Sequence, residues 1–141
     1  MKSVFHIVLI FFLASCIQEG NSSGHAETSG NVDNGGAKIV FESLEHDFGR
    51  VIEGEKVGWY FKYRNEGKGN LIIKRVSASC GCTAPDYDKK PLGPGEDATI
   101  KVVYDSNGRS GMEIKTVTVE TNGDPSVVKL KLMVEVINNN E

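Results

Sequence analysis

The sequence is short of positive charge: 16 Lys and Arg stand against 19 Asp and Glu, for a formal net charge of −3. Binding along a phosphate backbone needs clustered Lys and Arg, so a nucleic-acid role is excluded. The same deficit gives no attraction to anionic lipid head groups. No segment repeats apolar residues at i, i+3, i+4 and i+7, so no amphipathic helix is expected. There is no G-x-S-x-G elbow, no Walker-type loop and no dinucleotide-binding glycine pattern. Without a nucleophile constellation an enzyme is not expected, and no cofactor is called for. Cysteine is rare, with three in 141 residues. The distant pair that bridges the sheets of an antibody-type domain is missing, so the core must hold by burial alone. A chain of this length makes one domain and not comfortably two.

What is present begins with a leader. Lys2 precedes an apolar run from Val4 to Leu13, interrupted by His6. The run is shorter than the roughly 20 apolar residues that cross a bilayer and has the length of a signal-peptide core. Leu13-Ala14-Ser15-Cys16 then looks like a bacterial lipobox. Ala14 and Ser15 are small enough for a peptidase groove, and the Cys16 thiol takes the diacylglycerol. The expectation is a signal peptide over 1–15 and a lipidated Cys16 that anchors the chain, each buried acyl methylene adding about 0.8 kcal/mol. Ile17, not Asp, follows the cysteine, which by similarity to known sorting rules points to the outer membrane of a bacterial cell envelope. Glu19 to Gly36 is rich in Gly, Ser, Asn and acids with no apolar period, as a flexible tether requires. The expected organisation is lipid anchor and tether over 16–37, one folded domain over 38–137, and a polar tail over 138–141.

Within the domain, short apolar runs alternate with polar residues at a period of two. Val57, Trp59, Phe61 and Tyr63 form one set, Ile100, Val102 and Tyr104 another, and Val128, Leu130, Leu132, Val134 and Val136 the longest. Turn signals separate them: Asn65 to Asn70, Gly93-Pro94-Gly95, Asn107-Gly108 and Asn122-Gly123-Asp124-Pro125. The pattern predicts an all-β fold, a single immunoglobulin-like β-sandwich of about seven strands, with Trp59 and its strand-mates at the core. His46-Asp47-Phe48-Gly49 reads as a local device: Asp47 caps a turn, Phe48 plugs the core and Gly49 lets the backbone bend.

Phe41, His46-Asp47-Phe48-Gly49, Gly54-Glu55, Asn65-Glu66-Gly67, Cys80-Gly81-Cys82-Thr83, Pro94-Gly95-Glu96, Tyr104-Asp105 and Thr121-Asn122 occur in an order that resembles bacterial domain-of-unknown-function family 1573. The resemblance covers Lys38 to Ile137 and implies a secreted or lipid-anchored immunoglobulin-like domain, similar to major-sperm-protein and pilus-chaperone sandwiches. It implies no activity.

Cys80 and Cys82 admit three readings. One is a local disulfide across Gly81, which closes so small a loop that it adds little stability. Another is thiol or redox chemistry. The third is a metal site in which Cys80, Cys82 and His46 hold copper or zinc. Following the strands as an up-and-down alternation places His46, Asp47, Cys80, Cys82, Asn107 and Arg109 at one end, away from the tether. The leading expectation is a monomeric, non-enzymatic binding or scaffolding module with a protein or envelope-polymer partner. The alternative is a thiol, disulfide or copper-handling protein acting through Cys80 and Cys82.

Overall fold

Alternation becomes strand wherever a pleated face has a core to meet, and eight segments do so. The computed structural model describes residues 36–138, so the segment expected to be a leader, Cys16, the expected tether up to residue 35 and residues 139–141 lie outside the described residues. The strands are β1 (Ile39–Phe41), β2 (Glu45–Ile52), β3 (Lys56–Asn65), β4 (Ile73–Ala78), β5 (Thr83–Tyr87), β6 (Asp97–Asp105), β7 (Gly111–Thr121) and β8 (Val127–Ile137). They form two four-stranded sheets, ordered β1-β3-β6-β5 and β2-β8-β7-β4. Pairing is antiparallel except between β2 and β8, which run parallel. No helix occurs among the described residues.

The core lies between the sheets and follows the predicted parity. Ile100, Val102 and Tyr104 on β6, and Leu130, Leu132 and Val134 on β8, are fully buried, and the residues between them, Lys101, Val103, Lys131 and Met133, face out. Phe61 and Tyr63 from β3 and Val117 and Val119 from β7 complete it. Each such side chain contributes roughly 1.5–3 kcal/mol when removed from water.

The count is eight, not seven, because two strands carry no clean alternation. In β2 a bulge between Asp47 and Arg50 shifts the register and breaks the period. In β5, Pro85 interrupts a run of only five residues, as an edge strand tolerates.

Two features of the topology matter for function. The chain crosses between sheets five times, and two of these crossings join edge strand to edge strand, a first from β1 to β2 and a second, at the opposite side, from β4 to β5. The sandwich also has two distinct ends. At the root, where the described chain begins, Lys38 bridges to Asp124 and Lys68 N–H donates to Gly36 O. At the tip, Asp105 N–H donates to Cys82 O and the turn of residues 106–110 joins β6 to β7.

Candidate functional site

The first crossing is closed by aromatics. Asp47 Oδ1 accepts the Gly49 N–H at 2.8 Å, and Gly49 takes a φ of 67°, so the predicted turn is the bulge itself. The bulge aims Phe48 inward against both core clusters. His46 stacks on Trp59 with centroids 3.6 Å apart and planes 6° from parallel, and meets the Phe48 ring edge-on at 4.7 Å. Burial lowers the His46 pKa, the Asp47 carboxylate working the other way. Trp59 is therefore not the core centre that its strand pattern predicts. It stays 39% exposed, because β1 stops at Phe41 and leaves that stretch of β3 without a neighbour on the side away from β6. Phe61 and Tyr63, further along, take the central place.

The second crossing is closed by the disulfide. β4 ends at Ala78, Ser79 N–H still donates to Thr116 O, and then Cys80-Gly81-Cys82 turns the chain across to β5. Cys80 and Cys82 are joined, with an S–S distance of 2.02 Å, and both are half-buried. The buried Thr83 hydroxyl lies 3.5 Å from Cys80 Sγ and 3.8 Å from Cys82 Sγ. Asn107 N–H donates to Asp105 Oδ1, and Arg109 N–H to Ser106 O, which fixes the tip turn beside Cys82.

Of the residues proposed from sequence to share one end, Cys80 and Cys82 are bonded to each other, and Cys82 O accepts from the N–H of Asp105, two residues before Asn107 and four before Arg109. His46 and Asp47 do not join them. They lie at the start of β2, level with Leu132 and Met133 of β8, on a strand at the edge of its sheet opposite β4, and His46 is engaged with Trp59. The three-ligand metal arrangement of Cys80, Cys82 and His46 is thus not assembled: the sulfurs are bonded to each other, and the imidazole faces the other crossing. Among the described residues no group of three or more His, Cys, Asp or Glu side chains is placed to hold a metal ion.

The tip also holds a polar network that sequence reading missed. Glu113 and Lys115 occupy the inward parity of β7, where Val117 and Val119 continue as core. Tyr104, wholly buried, donates its hydroxyl to Glu113 Oε2. Lys115 Nζ lies 3.0 Å from the same oxygen, and Arg109 Nη1 3.9 Å from the other. Burial first, then the bond to Glu113, pushes the Tyr104 pKa up. For Glu113 burial acts upward, but the Tyr104 and Lys115 hydrogen bonds outweigh it and the carboxyl stays below its ordinary value. The available signal was two charged residues on the core parity of a strand, which require partners from elsewhere.

Both crossings leave strand edges open. Glu42 N–H donates to Lys62 O, so the backbone groups of Tyr60 and Gly58, two and four residues back, also point away from β6 into a space no strand fills. A groove of about 380 Å³, lined by Glu42, Ser43, Trp59, Tyr60, Phe61 and Lys62, lies there. On the other sheet Thr116 faces β4, so Ile114 and Met112 turn their N–H and C=O groups to an edge that β4 no longer covers.

The two sheets, their crossings and the strand order define a PapD-like, immunoglobulin-like β-sandwich. The profile of the family described as "Protein of unknown function (DUF1573)" matches residues 39–136, and the chain belongs to that family. No curated protein matches it. Among solved structures, a protein of unknown function from Porphyromonas gingivalis superposes with a TM-score of 0.62 at 18% identity, covering 70% of this chain and 46% of that one. A PapD-like domain of human CEP192 gives 0.61 at 11% identity, over 98% of each chain. The secreted serine protease VesC of Vibrio cholerae gives 0.56 at 11% identity, over 77% of this chain and 25% of its own. The chain spans under half of the first and a quarter of the protease. At these identities the likeness is one of fold.

Proposed function

We propose that this chain is a lipid-anchored protein of the bacterial cell envelope, held at the outer membrane by an acylated Cys16, whose sandwich is a non-enzymatic binding or scaffolding module. The observation that carries the reading is a contrast in position. The chain comes in at the root, and the tip, at the far end, bears exposed apolar side chains, Met112 and Ile114, on an uncovered strand edge. Soluble monomers rarely leave such an edge bare without a partner for it. An anchor at the root presents the tip away from the membrane, toward a protein or an envelope polymer.

Fractionation of envelopes combined with mass spectrometry of the N-terminal peptide tests the anchor. A diacylglyceryl Cys16 in the outer-membrane fraction is expected, and an unmodified peptide beginning upstream of Cys16 overturns it. Cross-linking in intact envelopes tests the module: a defined partner cross-linked through tip positions is expected, and the absence of any cross-linked species counts against it.

The half-buried disulfide at the tip favours a second reading, a thiol, disulfide or copper-handling protein. Thiol titration of natively purified protein, with and without copper, separates the two. Half-cystines that no physiological reductant opens support the binding module, and reduced thiols that take up copper support the alternative.

A further inference from the structure

We propose that the open edge of β7 from Gly111 to Lys115 is a docking site for an extended peptide segment in which an acidic residue lies between two apolar ones. The inference rests on the binding-module reading and names the edge and the chemistry of its partner.

The other strand edges are guarded. β1 is three residues long, β2 carries a bulge and β5 contains Pro85 with Asp86 beside it. On β4 the outward side bears Lys74 and Arg75. Each of these devices discourages strand addition. The open stretch of β3 offers Gly58, which has no side chain, and Tyr60, over whose ring Lys101 Nζ sits at 5.8 Å. β7 between residues 111 and 115 has neither proline nor bulge. Its outward side chains are Met112 at 71% exposure and Ile114 at 60%, and Met133 of β8 lies directly across from Ile114. A strand added here continues the line of β4 past Ser79, pairs with the free N–H and C=O groups of Met112 and Ile114, and sets alternate side chains against that apolar patch.

The intervening side chain of such a strand points to the inner face, and there the charge is unbalanced. Arg109 and Lys115 both lie against one carboxylate, Glu113, while Lys56 and Asp105 are paired with each other and the Glu53 carboxylate is engaged by the Gly108 N–H. Within the Arg109–Glu113–Lys115 cluster the surplus is one positive charge, which an acidic residue complements. A second copy of this chain does not: two-fold pairing brings two positive clusters together. It also joins only about 17 Å of edge, well short of the roughly 800 Å² per partner that a stable dimer buries.

The test uses the full chain and short synthetic peptides that alternate valine with glutamate. Amide hydrogen exchange locates binding, and titration gives the affinity. Slowed exchange at Met112 and Ile114 is expected. Binding should weaken about tenfold or more for a valine–lysine alternation, for a peptide with proline at its centre, and for the Ile114→Lys chain. Ile114 is exposed, so the variant should fold, and an unchanged melting temperature checks this. Protection at Gly58 and Tyr60 instead overturns the choice of edge and leaves the module reading intact. Concentration-dependent dimerisation abolished by Ile114→Lys overturns the choice of occupant. Loss of both peptide binding and envelope cross-links overturns the module reading itself.

Discussion

The root and the tip of this sandwich solve the same problem, how to end eight strands, in different ways. At the root, backbone groups are taken up by buried side chains. Asn65 is wholly buried; its Oδ1 accepts from Lys38 and Gly67 N–H, and its Nδ2 donates to the carbonyls of Gly69 and Leu92. Half-buried Asn122 also takes up backbone groups, accepting from Ile72 N–H and donating to Asn70 O. At the tip, buried Ser106 does the same for the carbonyls of Ile52 and Glu55, but a disulfide and a charged network hold the remaining loops while a strand edge stays open. A fully satisfied end is suited to stability, and an incompletely paired end to recognition, because unpaired backbone groups and exposed apolar side chains are what a partner can still use.

The sharpest way to break this contrast is at Gly67. A Cβ there would lie 2.0 Å from Gly36 O and 2.4 Å from Lys38 N, both backbone atoms. Gly67→Ala is expected to cost about 4 kcal/mol, read as a fall in the urea midpoint. A change under about 1 kcal/mol would show that the root is not close-packed. Next comes Asn65→Ala, which leaves two N–H groups and two carbonyls short of their partners. A loss of about 3 kcal/mol is expected, measured in the same way.

At the tip the effects should be smaller. Tyr104→Phe removes the donor to Glu113 and should cost about 2 kcal/mol at neutral pH, the range for a hydrogen bond to a charged group. Its pH dependence has a definite sign. The raised tyrosine pKa contributes stability below its ordinary 10.0, lost as the pH climbs above that value. The lowered Glu113 pKa contributes stability above 4.5, lost as the pH falls below it. Thermal melts across pH should show wild type losing stability at both extremes. The variant should keep only the alkaline arm that comes from Tyr63, whose pKa burial also raises, and a weaker acid one; identical profiles would remove Tyr104 from the network. The smallest effect belongs to the paired change Cys80→Ser and Cys82→Ser. Closing so short a loop restrains the unfolded chain little, so about 1.5 kcal/mol or less is expected from chemical denaturation. A larger loss would make the disulfide, and not the charged network, the main support of the tip.

The comparison also shows where legibility stopped. The cores of β6 and β8 could be read directly, because Ile100, Val102 and Tyr104, and Val128 through Val136, alternate without interruption. β2 and β5 could not, since a bulge and a proline erase the period that marks a strand. The turn of His46-Asp47-Phe48-Gly49 was legible because it is local chemistry, an Asp side chain and a glycine two residues apart. The stack of His46 on Trp59 was not, because its members come from different sheets.

By itself the sequence determined the all-β class, the parity of the long strands, the positions of the turns and the proximity of Cys80 to Cys82, since each rests on residues within a few positions of one another. Only the tertiary structure decided that β1 and β4 stop short and cross between sheets, that Trp59 lies at a crossing and not in the core, and that Glu113 and Lys115 turn inward to meet Tyr104 and Arg109. Which backbone groups are left unpaired depends on where a neighbouring strand ends, and that neighbour is far away in the chain. The edge at Met112 and Ile114 exists because β4, some 35–40 positions earlier, runs out at Ala78.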